Sequence, residues 1–273
     1  MLTKPDQIIT IHPMTRRIGA EIHGIDLSRP LEPASFQTLH DALMQHQVIF
    51  FRDQSLSHEA HRQIGLAFGR LAIHSGVAGL PDHPDIVAIH ADANSKYVAG
   101  ETWHTDLSCD AEPPMGSILY MQTVPENGGD TMFASMYAAY DALSPRMQTY
   151  LQGLTATHDA EHVYRPMTDD PAKRFPCNSH PIVRTHPVTQ RKCLYVNSSY
   201  VTKIDQLPKP EGDAILQFLY VHCMNPNFQV RFRWESGSIA FWDNRCTQHQ
   251  AVWDYFPDVR SGYRVTVGGD RPV

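Results

Sequence analysis

Gly100-Glu101-Thr102-Trp103-His104-Thr105-Asp106 holds a histidine and an aspartate two residues apart, and Trp242-Asp243-Asn244-Arg245-Cys246-Thr247-Gln248-His249 adds a lone histidine far downstream. In an extended segment, residues i and i+2 point to the same side. His104 and Asp106 can therefore approach one metal ion from a single strand end. His249, on a distant strand, can complete the face. Two imidazoles and one carboxylate leave coordination positions open, which suits non-haem Fe(II) and oxygen activation. With 16 histidines in 273 residues, a bare His-x-Asp pair also arises readily in a surface loop. The rest of the chain narrows the choice. A Gly128-Gly129-Asp130-Thr131 turn follows the pair, Arg260 follows His249, and Arg264 lies four residues beyond it. Those are the parts an iron enzyme with a dicarboxylate cosubstrate would need.

Working outward, the pattern is of many short strands with a few helices. Ile18, Ala20 and Ile22 alternate as in a strand. Val48-Ile49-Phe50-Phe51 reads as a buried strand, and Gln229–Trp234, Ser238–Trp242 and Tyr263–Val267 as further strands. Ile182–Thr185 and Cys193–Val196 flank a polar turn and predict a hairpin. Phe36, Leu39 and Leu43 recur at helical spacing. Ser57 and Ser135 are positioned to cap helices, and Ser144-Pro145 forms an N-cap and first-turn pair for a helix that stops at Gly153. A last helix is expected from about Gly212 to Cys223, with Ile215, Phe218, Leu219 and His222 on one side. The Pro-rich, irregular stretch 158–180 is expected to be an active-site lid. No repeat or linker divides the chain, so residues 1–273 are expected to form a single domain, mainly β with flanking helices, of the jelly-roll or barrel kind.

The formal charge is -6 and the pI about 6.2, so there is no basic footprint for nucleic acid. No apolar run approaches the roughly 20 residues needed to span a membrane. Met1–Gln7 has no apolar leader, and a cytoplasmic location is expected. Five widely spaced cysteines, Cys109, Cys177, Cys193, Cys223 and Cys246, argue against disulfides and are expected to be buried thiols. His158, His180 and His186 are expected to be ordinary polar or turn residues.

The motifs together resemble the taurine dioxygenase / 2,4-dichlorophenoxyacetate dioxygenase family of Fe(II)- and 2-oxoglutarate-dependent oxygenases. The similarity runs from Arg17–Leu27 through His46–Gln54, Ala67–Gly69, Trp103–Asp106, Gly128–Thr131 and His180–Pro187 to Trp242–His249 and Arg260–Gly268. It implies a double-stranded β-helix (jelly-roll) core and Fe(II), 2-oxoglutarate and O2 as cofactor and cosubstrates. It also implies His104, Asp106 and His249 as metal ligands. Related halogenases lack the carboxylate, so Asp106 implies hydroxylation. The resemblance assigns the distal carboxylate of 2-oxoglutarate to Arg260, with Thr131 as second donor. An arginine fork suits that task because it binds a carboxylate through two parallel hydrogen bonds. Arg264 shares strand parity with Arg260, roughly 13 Å away at about 3.3 Å per residue, and is matched to a substrate anion or to orienting the cosubstrate.

His74, Val77, Gly100, Tyr164 and Tyr200 map to the substrate pocket. Four of them depart from the taurine pattern: Val77 replaces a tyrosine, Gly100 an asparagine, and Tyr164 and Tyr200 phenylalanines. Lost polar contacts make taurine a poor fit. Gly128–Met147 and Thr266–Pro272 look closest to the aryloxyalkanoate-degrading branch. The expected activity is hydroxylation of a small organic anion (aryloxyalkanoate, alkylsulfonate or sulfate ester) with release of succinate and CO2. Trp103, Trp242, Asp243 and Asn244 are expected to position the ligand-bearing segments. Alternatives are a biosynthetic hydroxylase or desaturase of the same family, a non-enzymatic 2-oxoglutarate sensor, and a zinc hydrolase. The last fits the ligand count but gives Thr131 and Arg260 no role. Assembly as a homo-oligomer, dimer or tetramer, is expected from the family.

Overall fold

The computed structural model describes residues 8–273; the segment Met1–Gln7, read above as lacking a leader, lies outside the described residues. In chain order the elements are β1 (Thr10–Pro13), β2 (Ala20–His23), α1 (Pro33–His46), β3 (Val48–Phe51), α2 (His58–Phe68), β4 (Ile86–Ala91), β5 (Gly116–Thr123) and β6 (Thr131–Ser135). There follow α3 (Met136–Asp141), α4 (Pro145–Leu151), β7 (Thr155–Asp159), α5 (Glu161–Tyr164), β8 (Cys177–Pro181), β9 (Val183–Thr185), β10 (Lys192–Leu194) and β11 (Val201–Ile204). The chain ends with α6 (Lys209–Cys223), β12 (Gln229–Phe232), β13 (Ile239–Asp243), β14 (Thr247–Ala251) and β15 (Arg260–Val267). The protein is mainly β with helices outside.

A seven-stranded sheet runs β1-β2-β3-β13-β5-β15-β4, and a three-stranded sheet runs β12-β6-β14. The central strands of the large sheet are apolar on both faces because both are covered. Ile49 and Phe51 of β3, Ile118 and Tyr120 of β5, and Ile239 and Phe241 of β13 pack under α1 and α2. Their alternates, Val48 and Phe50, Leu119 and Met121, Ala240 and Trp242, meet Phe133 and Phe232 of the small sheet. Phe50 stacks on Phe232 at 4.0 Å. The site lies at one end of this second layer. Strand parity decides which polar residues of β5 and β15 reach it.

The serine caps form as their positions dictate: the Ser57, Ser135 and Ser144 hydroxyls accept from the backbone N–H groups of Ala60, Ala138 and Met147. The hairpin forms too, pairing Cys193 with Arg184. Other expectations are corrected. The last helix begins at Lys209, and its buried face is Gly212, Leu216, Leu219 and Cys223, while Phe218 is 44% exposed. The apolar residues recur on two faces of that helix, so spacing alone could not choose between them. Residues 158–159 and 177–180 are not irregular: they pair antiparallel as β7 and β8, and the segment between them carries α5. His158 and His180 are buried in β7 and β8, His186 is buried but does open the turn 187–189, and Cys177 is exposed while the other four cysteines are buried. No helix among the described residues is long and apolar enough to cross a membrane.

Candidate metal and cosubstrate site

His104 and His249 face each other across a two-residue antiparallel bridge, His104 N–H donating to the His249 carbonyl (3.1 Å) and the reverse at 2.8 Å. This backbone exchange sets the imidazoles side by side, with ring centroids 4.1 Å apart. Asp106 completes the set. Its Oδ1 lies 3.5 Å from His104 Nε2 and 3.9 Å from His249 Nε2. All three side chains are buried, and their donor atoms lie within 4.8 Å of one another.

The donor set fits a divalent metal. His104 Nδ1 donates to the Thr102 carbonyl at 2.8 Å, which leaves Nε2 bare on the inner side, as a ligating imidazole requires. His249 packs against Phe133 and Trp242. Burial, and then the neighbouring His104, hold its pKa well below the ordinary value, so it is neutral. Burial pushes the Asp106 carboxyl up, but the Arg264 guanidinium, 2.9 Å from Oδ1, outweighs it and holds it well below the usual range. The site thus pairs a neutral His249 and an ionised Asp106 with the inward-facing Nε2 of His104. Gly100 contributes by having no side chain: at φ +87°, a Cβ there would meet His104 Cε1 at 2.9 Å.

A second buried trio, His186, Asp243 and Cys246, has similar spacing, but its imidazole and carboxylate are already engaged and its thiol is held protonated by burial. His186 Nδ1 accepts from Val188 and Thr189 N–H, and Nε2 donates to Asp243. Asp243 also receives three bonds from Arg245. This cluster is a structural corner that holds the segment leading to His249.

Arg260 is 3% exposed. Its Nε donates to the Gly129 carbonyl at 3.1 Å and its Nη2 reaches the Thr131 hydroxyl at 3.5 Å, and its guanidinium lies 5.4 Å from the Trp234 ring. Neither polar partner carries charge, and burial lowers its pKa. A buried guanidinium without a carboxylate is costly unless a ligand supplies one. Thr131 Oγ1 accepts from Trp234 Nε1 (2.9 Å) as well as from Arg260, which leaves its own proton free to donate.

Arg264 pairs across β15 and β5 with Leu119, so it faces the interior. Its Nη1 donates to Asp106 Oδ1 at 2.9 Å, and its buried Nε has no partner among the described residues. His74 Nδ1 accepts from both Gly76 and Val77 N–H at 3.0 Å, so its proton must sit on Nε2. Burial, with Arg264 nearby, pushes its pKa down to about 4. His74 is therefore a neutral donor near the triad. Tyr164 and Tyr200, both buried, share a hydroxyl–hydroxyl hydrogen bond of 2.8 Å, and Tyr164 packs edge-on to His74. Val77 is set apart: its side chain is 38% exposed and only its backbone serves His74.

Several site residues were missed in the sequence: Trp234, which orients Thr131; the carbonyls of Thr102 and Gly129; and Ser117, 2.7 Å from Asp106 Oδ2. The alternation of Gln229–Trp234 could have pointed Trp234 inward. Ser117 carries no such mark, because Ile118–Met121 are apolar without alternation.

A profile of the taurine catabolism dioxygenase TauD, TfdA family matches residues 10–266. The chain belongs to that family. It is 33% identical to an alpha-ketoglutarate-dependent sulfate ester dioxygenase of Pseudomonas putida over 97% of this chain and 91% of that one. It is 30% identical to the alpha-ketoglutarate-dependent 2,4-dichlorophenoxyacetate dioxygenase of Cupriavidus pinatubonensis, over 89% and 91% of the two chains. The solved structure of a taurine dioxygenase from Burkholderia xenovorans superposes with a TM-score of 0.85 at 36% identity, covering 97% of this chain and 92% of that one. The TauD/TfdA-family chain is thus a 2-oxoglutarate-dependent dioxygenase, using Fe(II), 2-oxoglutarate and O2.

Proposed function

We propose that this dioxygenase hydroxylates a small organic anion. In this reading His104, Asp106 and His249 hold Fe(II), Arg260 and Thr131 grip the distal carboxylate of 2-oxoglutarate, and Arg264 with His74 receives the substrate anion. The observation that carries it is the pair of interior arginines on β15. Arg260 is buried beside only neutral partners, and Arg264 reaches Asp106 with a donor to spare. When bound, Fe(II) supplies the oxidation by O2, coupled to conversion of 2-oxoglutarate to succinate and CO2. The protein orients and screens. Arg260 and Thr131 fix the cosubstrate by two directional bonds. His74, locked as the Nε2–H tautomer, donates to the substrate anion without carrying charge. Tyr164, Tyr200 and Phe175 form an aromatic wall, which favours an aryl or branched substrate body over taurine. Gly100 borders the site by having no Cβ to meet His104, and Val77 contributes only the N–H that fixes His74.

The two sheets are read as a double-stranded β-helix within a single domain. The segment 158–180 is read as a lid, Tyr164 being its inward anchor. A homo-oligomer is the assembly proposed, from family membership alone.

Succinate formation by iron-loaded protein, measured across aryloxyalkanoates, alkyl sulfates and alkylsulfonates with His104→Ala as control, tests this reading. Stimulation by one class, lost in the control, is expected. Turnover of a sulfonate with no aryloxyalkanoate active would remove the aryl preference. A slow rate that no anion stimulates would favour a biosynthetic substrate.

A further inference from the structure

We propose that Ser117 is a positioning residue for Asp106, holding the Oδ2 oxygen so that only Oδ1 is offered to the metal. This rests on the assignment of Asp106 as a ligand. Ser117 lies in β5 with the parity of Leu119 and Met121, so it faces the space between the sheets. Its Oγ is 2.7 Å from Asp106 Oδ2. Asn244 Nδ2 lies 3.0 Å from the same Oγ, and Trp242 Nε1 lies 2.9 Å from Asn244 Oδ1.

The direction of each bond follows from the donor inventory. An indole N–H only donates, so the Asn244 atom facing it is the carbonyl oxygen. The Asn244 amide must then donate to Ser117. The serine hydroxyl has one proton left to place, and the ionised carboxylate can only accept it. The relay thus runs from Trp242 through Asn244 and Ser117 to Asp106. All four side chains are buried, between 0% and 4% exposed, so bulk water does not compete.

The consequence concerns coordination. With Oδ2 held by a short, charge-assisted bond, a metal would be bound through Oδ1, which also accepts from Arg264 Nη1 at 2.9 Å and keeps a second lone pair. Oδ1 is the oxygen facing both imidazole Nε2 atoms. A carboxylate binding through both oxygens would occupy a position that the facial set leaves open. By holding Oδ2 away, Ser117 would leave that position of a held metal to a ligand other than the protein. Trp242 and Asn244 lie just before β14, which carries His249, so the relay also ties the aspartate to the segment bearing the third ligand.

The test is Co(II) titration of metal-free protein, with and without 2-oxoglutarate, following the visible ligand-field bands. Ser117→Ala removes one oxygen and leaves the β5 backbone pairing intact. It is expected to fold, to raise the Co(II) Kd about tenfold, and to change the band shape. Asn244→Ala should shift both in the same direction, and Ser117→Thr, which keeps the hydroxyl, should restore them. Ser135→Ala, a buried hydroxyl bonded to Gln47, controls for general loosening and should leave both unchanged. A folded Ser117→Ala protein with wild-type Kd and bands overturns the proposal. So does an equal change in Ser135→Ala. If Ser117→Ala fails to fold, Asn244→Ala decides on the same two readouts. Asp106→Ala separates the underlying assignment: wild-type Co(II) binding there would remove Asp106 as a ligand, whereas its loss alongside a silent Ser117→Ala would remove only the role given to Ser117.

Discussion

At the scale of single residues, the strongest pointer to a bound dicarboxylate is a buried guanidinium to which no carboxylate is hydrogen-bonded among the described residues. Arg260 is buried against the Trp234 ring and bonded only to neutral oxygens, and its burial outweighs the favourable but unbonded influence of Asp130. Each charge-assisted bond is worth about 1.5–3 kcal/mol, and a bidentate pair would therefore govern cosubstrate affinity. Arg260→Ala is expected to raise the KM for 2-oxoglutarate by roughly 100-fold or more, with metal affinity nearly unchanged. Arg260→Lys keeps the charge but loses the fork and should fall between. Steady-state kinetics with varied 2-oxoglutarate, beside a Co(II) titration, would check this, and an unchanged KM in Arg260→Ala would remove the assignment. His104, Asp106 and His249 could be put forward together from residue type and the i, i+2 spacing, whereas the role given to Arg260 came from the family resemblance. Ser117 was not legible, since its importance comes from a neighbour eleven positions away in sequence, brought close only by sheet register. Nor could composition show that Val77 turns its side chain outward while its amide fixes His74.

Among elements, the segment between β7 and β8 packs against the loop 74–79 through Tyr164. Gly76 lies flat against Tyr164, where an added Cβ would stand 2.6 Å from the ring. Tyr164 in turn bonds Tyr200 and packs on His74. Gly76→Ala should therefore push Tyr164 and its segment outward. The expected result is a several-fold higher KM for the substrate anion and faster tryptic cleavage near Lys173 and Arg174, with Co(II) affinity retained. Cleavage and KM both at wild-type values would show that the loop yields instead. The existence of this segment could be seen in its Pro-rich, polar composition. Its ends could not, because β7 and β8 are held by pairing partners that no local pattern records. The same limit applied to α6, where two apolar stripes compete and only packing against β11 and α3 selects the buried one.

For the whole molecule, the interior carries an unusual load of neutral imidazole, and this makes stability depend on pH in one direction. His61 is fully buried, its Nε2 donating to the Ile118 carbonyl, and burial pushes its pKa down to about 4. His158 is pushed down to about 3 by burial and by His180. In the unfolded chain both titrate near 6.5. Between pH 6.5 and 4 the unfolded state thus binds protons that the folded state refuses, so stability is fully present above about pH 6.5 and is lost as pH falls. Each histidine contributes about 1.4 kcal/mol per pH unit inside that window. Asp110, raised to about 6 by burial, works the other way, since its folded form takes up a proton first, and cancels roughly one histidine between pH 6 and 4. His74, His180 and His249 are lowered too, so the sum keeps the histidine sign. Urea unfolding of metal-free protein should show the midpoint falling from pH 7 to pH 5. His61→Gln, whose amide can still donate to Ile118, should lower stability at pH 7 yet flatten that slope by about one histidine's share. A slope unchanged in His61→Gln would mean that His61 is already protonated in the fold, or that water reaches it, and the buried-imidazole account of acid sensitivity would fall with it.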